Sequence, residues 1–344
     1  MKKVAFVITL LVVLEVSSAS AQAPSNLQVT PAVDGVFEAF KTKPLVALGE
    51  SHGLAQMGAL YFALVRDPRF ADQIGNLVVE TGGAANQAVI DRYVAGQEVP
   101  YPELRKVWTD TVGWTPVVAF QMNLGLFAAV RAANKELPPE KRIKVWLGEP
   151  SVDWSHIRTH EQWLALLPQR DPHVAGLIDR EILAKGKKAL VIYGSGHFIT
   201  ARAGQPPSLR TLIETKYPQS VFAIFPFTGF ADAPCTKKLE TRLAGAAAPV
   251  LLTSKDGAPT EASNREGCLR NQYPPSSPPQ AQEEATLYLG PVATLTRSPG
   301  DVTLELDQAY FDEISRRNQI QTGRVYDWSR GVESVGRGPQ PFVP

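Results

Sequence analysis

Residues 45–53 read LVALGESHG, an unbroken apolar run that ends at Glu50 and His52. Three later runs have the same form, and each carries a polar side chain at or near its end: NLVVETGG (76–83) with Glu80, KVWLGEPSVDW (144–154) with Glu149, and ALVIYGSGHF (189–198) with His197. Continuous apolar runs bounded by glycine are typical of strands covered on both faces, whereas half-exposed strands alternate. The sequence therefore predicts an α/β fold with a mainly parallel central sheet flanked by helices.

Helical patterns separate these runs along the chain. They cover residues 54–66, 84–94, Pro116 to about Glu136, and 171–184. Strands that alternate with helices in this way are typical of βα units around one sheet. We therefore predict a single α/β domain over residues 22–344. Apolar positions at helical spacing in residues 306–320 predict one more helix, which we expect to pack on the sheet edge.

The first 21 residues have the pattern of a secretory signal peptide. Lys2 and Lys3 precede an apolar stretch from Val4 to Leu14, and small residues follow up to Ala21. The apolar stretch is shorter than the roughly 18 residues that a membrane helix needs, and no later stretch reaches that length. We therefore predict cleavage after Ala21, a periplasmic or secreted protein, and no membrane span after cleavage.

The charge balance argues against nucleic acid as a partner. Without residues 1–21, which contain two lysines and one glutamate, the 35 basic and 34 acidic residues fall to 33 of each. No run of lysine or arginine provides the basic surface that nucleic-acid binding requires. The expected partner is a small-molecule or peptide substrate.

The sequence contains two cysteines, Cys235 and Cys268. In an exported protein, two cysteines more often form a disulfide than supply a catalytic thiol. Cys268 lies in residues 254–284, where the proline, serine and glutamine content predicts a long surface loop. The predicted bridge would tie this loop to the domain and so have a structural role.

The polar strand ends predict one site. The carboxyl ends of parallel strands share one edge of the sheet, and ligands bind in the crevice outside that edge. Glu50 and His52 are two residues apart, so both side chains can face this crevice from an extended turn. A carboxylate beside an imidazole suits general base catalysis. The alternative is a buried structural pair at the start of the next helix.

Glu80, His197 and Arg180 complete the predicted site. Glu80 can orient His52, act as a second acid or base, or bind a metal, unless it is only an acidic residue at a helix start. His197 follows a glycine-flanked turn at the end of its strand. Arg180 can bind a carboxylate or a developing oxyanion, or else form a surface ion pair. Glu149 and Asp153 are candidates for the rim of the crevice.

These residues resemble the superfamily that joins erythromycin esterase-like enzymes, ChaN-like haem-uptake proteins and TraB/Tiki proteins. The resemblance rests on Glu80, on Arg180, and on two short motifs, Gly49-Glu50-Ser51-His52 and Gly194-Ser195-Gly196-His197. In erythromycin esterases, two residues separate the glutamate and the histidine of the first motif, whereas in this chain only Ser51 separates Glu50 from His52. This spacing is closer to that of the ChaN-like and TraB/Tiki groups. In the family's hydrolases that histidine activates water, which implies this role for His52.

The sequence thus predicts an exported hydrolase that acts on an ester or amide. His52 is the predicted base, and Glu50 and Glu80 are predicted to orient or polarise the reacting groups. Arg180 and His197 are predicted to stabilise the developing negative charge. This mechanism needs no cofactor. The resemblance leaves two alternatives open, a haem- or small-ligand-binding protein without catalysis and a metal-dependent protease. Two histidines and two carboxylates are also a metal-ligand set, although no HExxH helix or paired cysteine motif accompanies them.

Overall fold

The structure is a computed structural model that describes residues 27–113, 120–199, 206–254, 284–301 and 306–324. The described residues form one sheet with the order β1-β7-β8-β6-β2-β5-β3-β4. The strands are β1 (Leu27–Pro31), β2 (Leu45–Glu50), β3 (Asn76–Gly83), β4 (Lys144–Glu149), β5 (Ala189–Gly194), β6 (Val221–Pro226), β7 (Val250–Ser254) and β8 (Ala285–Tyr288). Strand β7 is antiparallel to both neighbours, and the other pairings are parallel. The predicted α/β fold with a mainly parallel sheet is confirmed.

Helices connect the strands and cover both faces of the sheet. The described α-helices are α1 (Ala32–Thr42), α2 (Ala55–Arg66), α3 (Pro68–Gln73), α4 (Gln87–Val94), α5 (Tyr101–Leu104), α6 (Lys106–Thr109), α7 (Gln121–Lys135), α8 (His160–Leu164), α9 (Arg170–Glu181), α10 (Leu209–Lys216), α11 (Pro234–Arg242) and α12 (Gln308–Thr322). No helix in the described part of the chain is long and apolar enough to cross a membrane.

Strand β2 shows why the central strands are continuously apolar. All six of its residues are buried. Val46 and Leu48 belong to the core that includes α1, α2 and α7, whereas Leu45 and Ala47 belong to a second core with α9 and α10. Each buried valine or leucine contributes about 1.5–3 kcal/mol relative to an exposed one. Alternate side chains therefore bury on opposite faces, as the sequence pattern predicted.

Four adjacent strands carry the polar ends to one edge. The order β2-β5-β3-β4 places Glu50 beside Gly194, and Gly83 beside Glu149. The pairing of β3 with β4 shifts register between Val79 and Gly83. Such an irregularity redirects the side chain within it, here Glu80, relative to a regular strand. The predicted site residues of the strands therefore lie along one stretch of the carboxyl edge.

The C-terminal helix exists as predicted, but its predicted packing on the sheet edge is wrong. Helix α12 contacts segments beyond the carboxyl edge instead: Arg317 donates to the carbonyl of Thr109 and to Asp110, and Arg316 donates to the carbonyls of Trp154 and Ile157. A helix that presents arginines binds exposed carbonyl groups better than it covers an apolar strand, since each guanidinium has five donors.

Several predictions fall on parts of the chain outside the described residues. These are the signal peptide in residues 1–21, the part of the surface loop from 255 to 283, and Cys268. Cys235 lies on α11 and packs against a small core with Leu239 and Leu252. The disulfide, the cleavage site and the export of the protein therefore stay predictions.

Candidate functional site

Glu50 and His52 form a pair at the end of β2. The Nδ1 atom of His52 lies 2.9 Å from Oε2 of Glu50. The buried hydroxyl of Tyr61, on α2, donates to the other oxygen of Glu50 at 3.4 Å. An ionised carboxylate only accepts hydrogen bonds, so Nδ1 of His52 carries the proton. This contact orients the ring so that Nε2 faces Glu80, whose Oε2 is 3.8 Å away.

Glu80 is the centre of the cluster. Its Oε2 accepts a hydrogen bond from the backbone N–H of Gly194 at 2.6 Å, and its Oε1 accepts one from Nη2 of Arg170 at 2.5 Å. Nε2 of His197 lies 3.4 Å from the same Oε1. A side chain at Gly194 would not fit, because a Cβ atom there would lie 2.9 Å from Nε2 of His52. Glycine therefore allows His52 and Glu80 to meet over β5.

Arg170 joins Glu80 to a second buried carboxylate. Its Nε donates to both oxygens of Glu149, at 2.9 and 2.8 Å. The side chain of Glu149 is 1% exposed and that of Arg170 is 12% exposed. A buried carboxylate needs a partner of opposite charge, because desolvation of an unpaired ion is costly. Arg170 therefore makes it possible for two carboxylates to lie side by side at this edge.

His197 forms the second imidazole–carboxylate pair of the site. Its Nδ1 contacts Oδ1 of Asp171 in a short hydrogen bond, and Oδ2 of Asp171 accepts from the backbone N–H of Leu209 at 3.0 Å. The ring also packs edge-on against Tyr193, with ring centres 5.2 Å apart. His197 thus has the same arrangement as His52, with Nδ1 on a carboxylate and Nε2 towards Glu80.

The structure brings four of the five predicted residues together: Glu50, His52, Glu80 and His197. The prediction that Arg180 joins them is wrong in its location. Helix α9 connects β4 to the parallel β5, so it begins near the carboxyl edge and ends near the opposite edge. Arg180 is exposed in its last turn, ten residues and about 15 Å of helix after Arg170.

Sequence reasoning missed Arg170 and Asp171, which open α9 and reach Glu80 and His197. The available signal was the direction of the helix, since the first turn after a parallel strand faces the carboxyl edge. Glu149 belongs to the cluster but is buried and not at the rim. Asp153 pairs with the exposed His156 at 2.9 Å, and its side chain is 63% exposed.

Electrostatics keep His52 protonated at neutral pH. Burial disfavours the charged ring, but the attraction of Glu80 and the hydrogen bond and charge of Glu50 outweigh it. Together they raise the pKa of His52 from 6.5 to about 9. The side chain of His52 is nevertheless 30% exposed, the largest exposed fraction of these four residues. Of these four residues, His52 is therefore the most accessible to a substrate.

His197, Glu80 and Glu149 also have shifted pKa values. Burial opposes the charged form of His197, but Glu80 and Asp171 outweigh it and raise its pKa to about 10. Burial also works against the charge of Glu80, yet His197, His52 and Arg170 hold its pKa well below the usual value. At Glu149 burial dominates, so the pKa is raised despite the contact with Arg170.

A metal ion or a haem iron bound here would have to displace protons that the site histidines carry. A metal needs a neutral imidazole with a free nitrogen. Here both nitrogens of His52 and of His197 face carboxylates, and the pKa values of both rings are raised. Across the described ranges, no group of three or more histidine, cysteine, aspartate or glutamate side chains is arranged to hold a metal. The chemistry derived below uses neither group.

Comparisons with known proteins show the fold and leave the activity open. No protein-family model matches the sequence, and no curated protein is significantly similar to it. A solved protein of Bacillus cereus aligns with a TM-score of 0.50 and 12% identity, over 77% of this chain and 92% of its own. This similarity shows a shared α/β fold.

Two further solved structures are similar at lower scores. A mutant of the erythromycin esterase EreC, in its open conformation, aligns with a TM-score of 0.46 and 10% identity, over 76% of this chain and 97% of its own. ChaN of Campylobacter jejuni, solved with cofacially bound haem, aligns with a TM-score of 0.33 and 11% identity, over 56% of this chain and 84% of its own. What these proteins bind or cleave is theirs alone; for this chain the similarity is one of structure.

Proposed function

We propose that this protein is a hydrolase that cleaves an ester or amide with water, and that His52 is its general base. The observation that carries this proposal is the pair of imidazoles around Glu80. His52 and His197 each have Nδ1 on a carboxylate and Nε2 towards the same Glu80. A carboxylate on Nδ1 fixes the tautomer and stabilises the imidazolium that forms during catalysis.

The proposed reaction has two proton transfers, both at Nε2 of His52. Neutral His52 takes a proton from water as the water oxygen bonds to the acyl carbon. His197 remains protonated, and its positive charge stabilises the oxygen that becomes negative. The bond from the acyl carbon to the leaving group then breaks, and His52 returns its proton to the leaving oxygen or nitrogen.

The proposal gives the two histidines different roles because His52 is the more exposed ring, at 30% against 16% for His197. With a pKa of about 9, about one His52 ring in a hundred is neutral at pH 7, and this fraction rises with pH. His197, with a pKa of about 10, stays protonated over the same range. The base and the cation that stabilises the oxyanion are therefore both in their working states between these two values.

The test is turnover by the purified protein on 4-nitrophenyl esters and peptide anilides, assayed with and without a chelator. The proposal expects ester or amide cleavage that a chelator leaves unchanged. Activity that a chelator removes and a divalent ion restores would favour the metal-dependent protease instead. An inert protein that takes up haem in a one-to-one titration would contradict the proposal and favour the binding protein.

We also propose that this activity is extracytoplasmic, because residues 1–21 carry the signal-peptide pattern. The measurement is the distribution of the full-length protein between cytoplasmic and exported fractions, together with the N-terminal residue of the mature form. Cytoplasmic protein that retains residues 1–21 would contradict it.

A further inference from the structure

An extended segment, residues 295–301, crosses the turn that follows His52. The N–H of Ala55 donates to the carbonyl of Thr296 at 2.9 Å, and the N–H of Ser298 donates to the carbonyl of Gly53 at 2.7 Å. Between these two bonds, Leu54 and Arg297 face each other in an antiparallel bridge. The backbone of Arg297 is therefore fixed beside the two residues that follow the proposed base.

Phe120 fills the space over the same turn. Gly53 has a φ of +81°, and a Cβ atom there would lie 2.4 Å from Cζ of Phe120. Phe120 also forms an antiparallel bridge with Gly300, and the N–H of Gln121 donates to the carbonyl of Pro299 at 3.0 Å. The segment is thus bonded both to the turn that follows His52 and to the start of α7.

Arg297 stacks on this phenylalanine without a carboxylate partner. Its guanidinium carbon lies 5.2 Å from the ring centre of Phe120, and the side chain is exposed. Other arginines stack on aromatic rings in the described ranges, and each of them also forms an ion pair: Arg69, Arg105, Arg131 and Arg317. Within those ranges Arg297 has no ion pair.

We propose that Arg297 binds an anionic group of the substrate, a carboxylate or a phosphate, at the mouth of the crevice. The inference rests on the proposed hydrolase function and names its substrate class. A guanidinium with free donors binds either anion in two parallel hydrogen bonds, and the ring beneath it limits its hydration. Glu50 and Glu80, whose side chains are 6% and 8% exposed, are engaged deeper in the site. An arriving anion therefore meets the exposed guanidinium first.

The experiment compares two substrates that differ only in charge, 4-nitrophenyl hydrogen adipate and its methyl ester. The wild type is expected to prefer the anionic substrate by about tenfold in kcat/KM, mainly through KM, and to lose this preference at high salt. Arg297→Ala should remove the preference and change kcat/KM for the neutral ester by less than about twofold. Arg297→Lys keeps the positive charge but not the two parallel donors of the guanidinium, so it should retain part of the preference. Arg180→Ala is the matched control on an exposed arginine.

A second measurement separates this inference from the hydrolase function. Adipate and inorganic phosphate are titrated separately into the intact protein, and the ring resonances of His52 are followed by NMR. A shift that Arg297→Ala abolishes supports the anion site even if no ester is cleaved, and the more potent anion identifies the group. Cleavage with equal preference in wild type and Arg297→Ala overturns the inference and leaves the hydrolase standing. A wild type that neither cleaves nor responds to either anion overturns both.

Discussion

The two imidazole–carboxylate pairs on either side of Glu80 have the same connectivity and different surroundings. In the first pair, Glu50–His52, the ring is 30% exposed and its pKa is about 9. In the second pair, Asp171–His197, the ring is 16% exposed and its pKa is about 10. One shared carboxylate thus serves two rings that differ in access to solvent.

This difference explains how one motif can supply two chemical roles. The more exposed ring can meet water and substrate, and as a base it must become neutral before its counterpart. The more buried ring must remain a cation to stabilise negative charge. Two groups whose environments separate their pKa values are the usual sign of an acid and base assignment. The predictions below test whether the two pairs differ in this way.

The largest expected effect comes from removing the first ring. His52→Ala should lower kcat for ester cleavage by roughly 10² to 10⁴, which is the usual contribution of a general base. The matched control is His156→Ala, because His156 forms a similar pair with Asp153 at 2.9 Å but is 82% exposed. Steady-state kinetics give kcat for ester cleavage by both variants and by the wild type. Equal activity of His52→Ala and wild type would remove His52 from the mechanism.

The next effect concerns the cation that holds the pairs around Glu80. Arg170→Met leaves Glu80 and Glu149 buried without their shared partner, which should lower the free energy of unfolding by about 3–5 kcal/mol. Urea denaturation measures this loss. Arg180→Ala, an exposed arginine on the same helix, should change it by less than about 0.5 kcal/mol. Adding Glu149→Gln to Arg170→Met should restore part of the stability. Similar losses for the two arginines would contradict the buried role of Arg170.

The wild-type pH profile tests the assignment of base and acid. Activity requires neutral His52, so kcat/KM should rise about fiftyfold from pH 7 to about 9. It also requires protonated His197, so kcat/KM should fall above about 10. Because the two rings are coupled through Glu80, the apparent pKa values of the two limbs of the pH profile belong to the pair of rings and not to either ring alone. A maximum near pH 6 would show that neither raised pKa governs catalysis.

A smaller effect is expected when only the second pair is weakened. Asp171→Asn removes a negative charge from His197, so the pKa of His197 should fall and the alkaline limb should move to lower pH. The rate at pH 9 should drop several-fold, and the limb assigned to His52 should move less than the alkaline limb. Asp153→Asn, at the exposed His156 pair, is the control and should change neither limb. An unshifted alkaline limb would assign that limb to another group.

The smallest effect is expected at Tyr61, which supports only the first pair. Its hydroxyl donates to Glu50 at 3.4 Å, a long hydrogen bond. Tyr61→Phe should therefore lower the free energy of unfolding by less than about 1 kcal/mol and lower kcat/KM by less than about fivefold. Kinetics at pH 9 and thermal melting measure both quantities. A loss as large as that of His52→Ala would mean that Tyr61 does more than hold Glu50.

The sequence by itself determined the central sheet and most of the strand-end residues. Buried strands in an α/β sheet must be apolar on both faces, and this requirement is visible in LVALGESHG and the three related runs. Glu50 and His52 are two residues apart, so their pairing follows from local geometry. Glu80 and His197 followed from the rule that parallel strands end at one edge.

Only the tertiary structure decided which other side chains meet these residues. Asp171 pairs with His197 across 26 positions, and Arg170 reaches Glu80 across 90. These contacts depend on where α9 begins over the edge of the sheet. From composition and spacing, Arg180 was as good a candidate for the site as Arg170. Helix α9, however, places Arg180 near the opposite edge of the sheet. Side chains close in sequence are positioned by local backbone geometry, whereas distant ones are positioned by how the helices pack on the sheet.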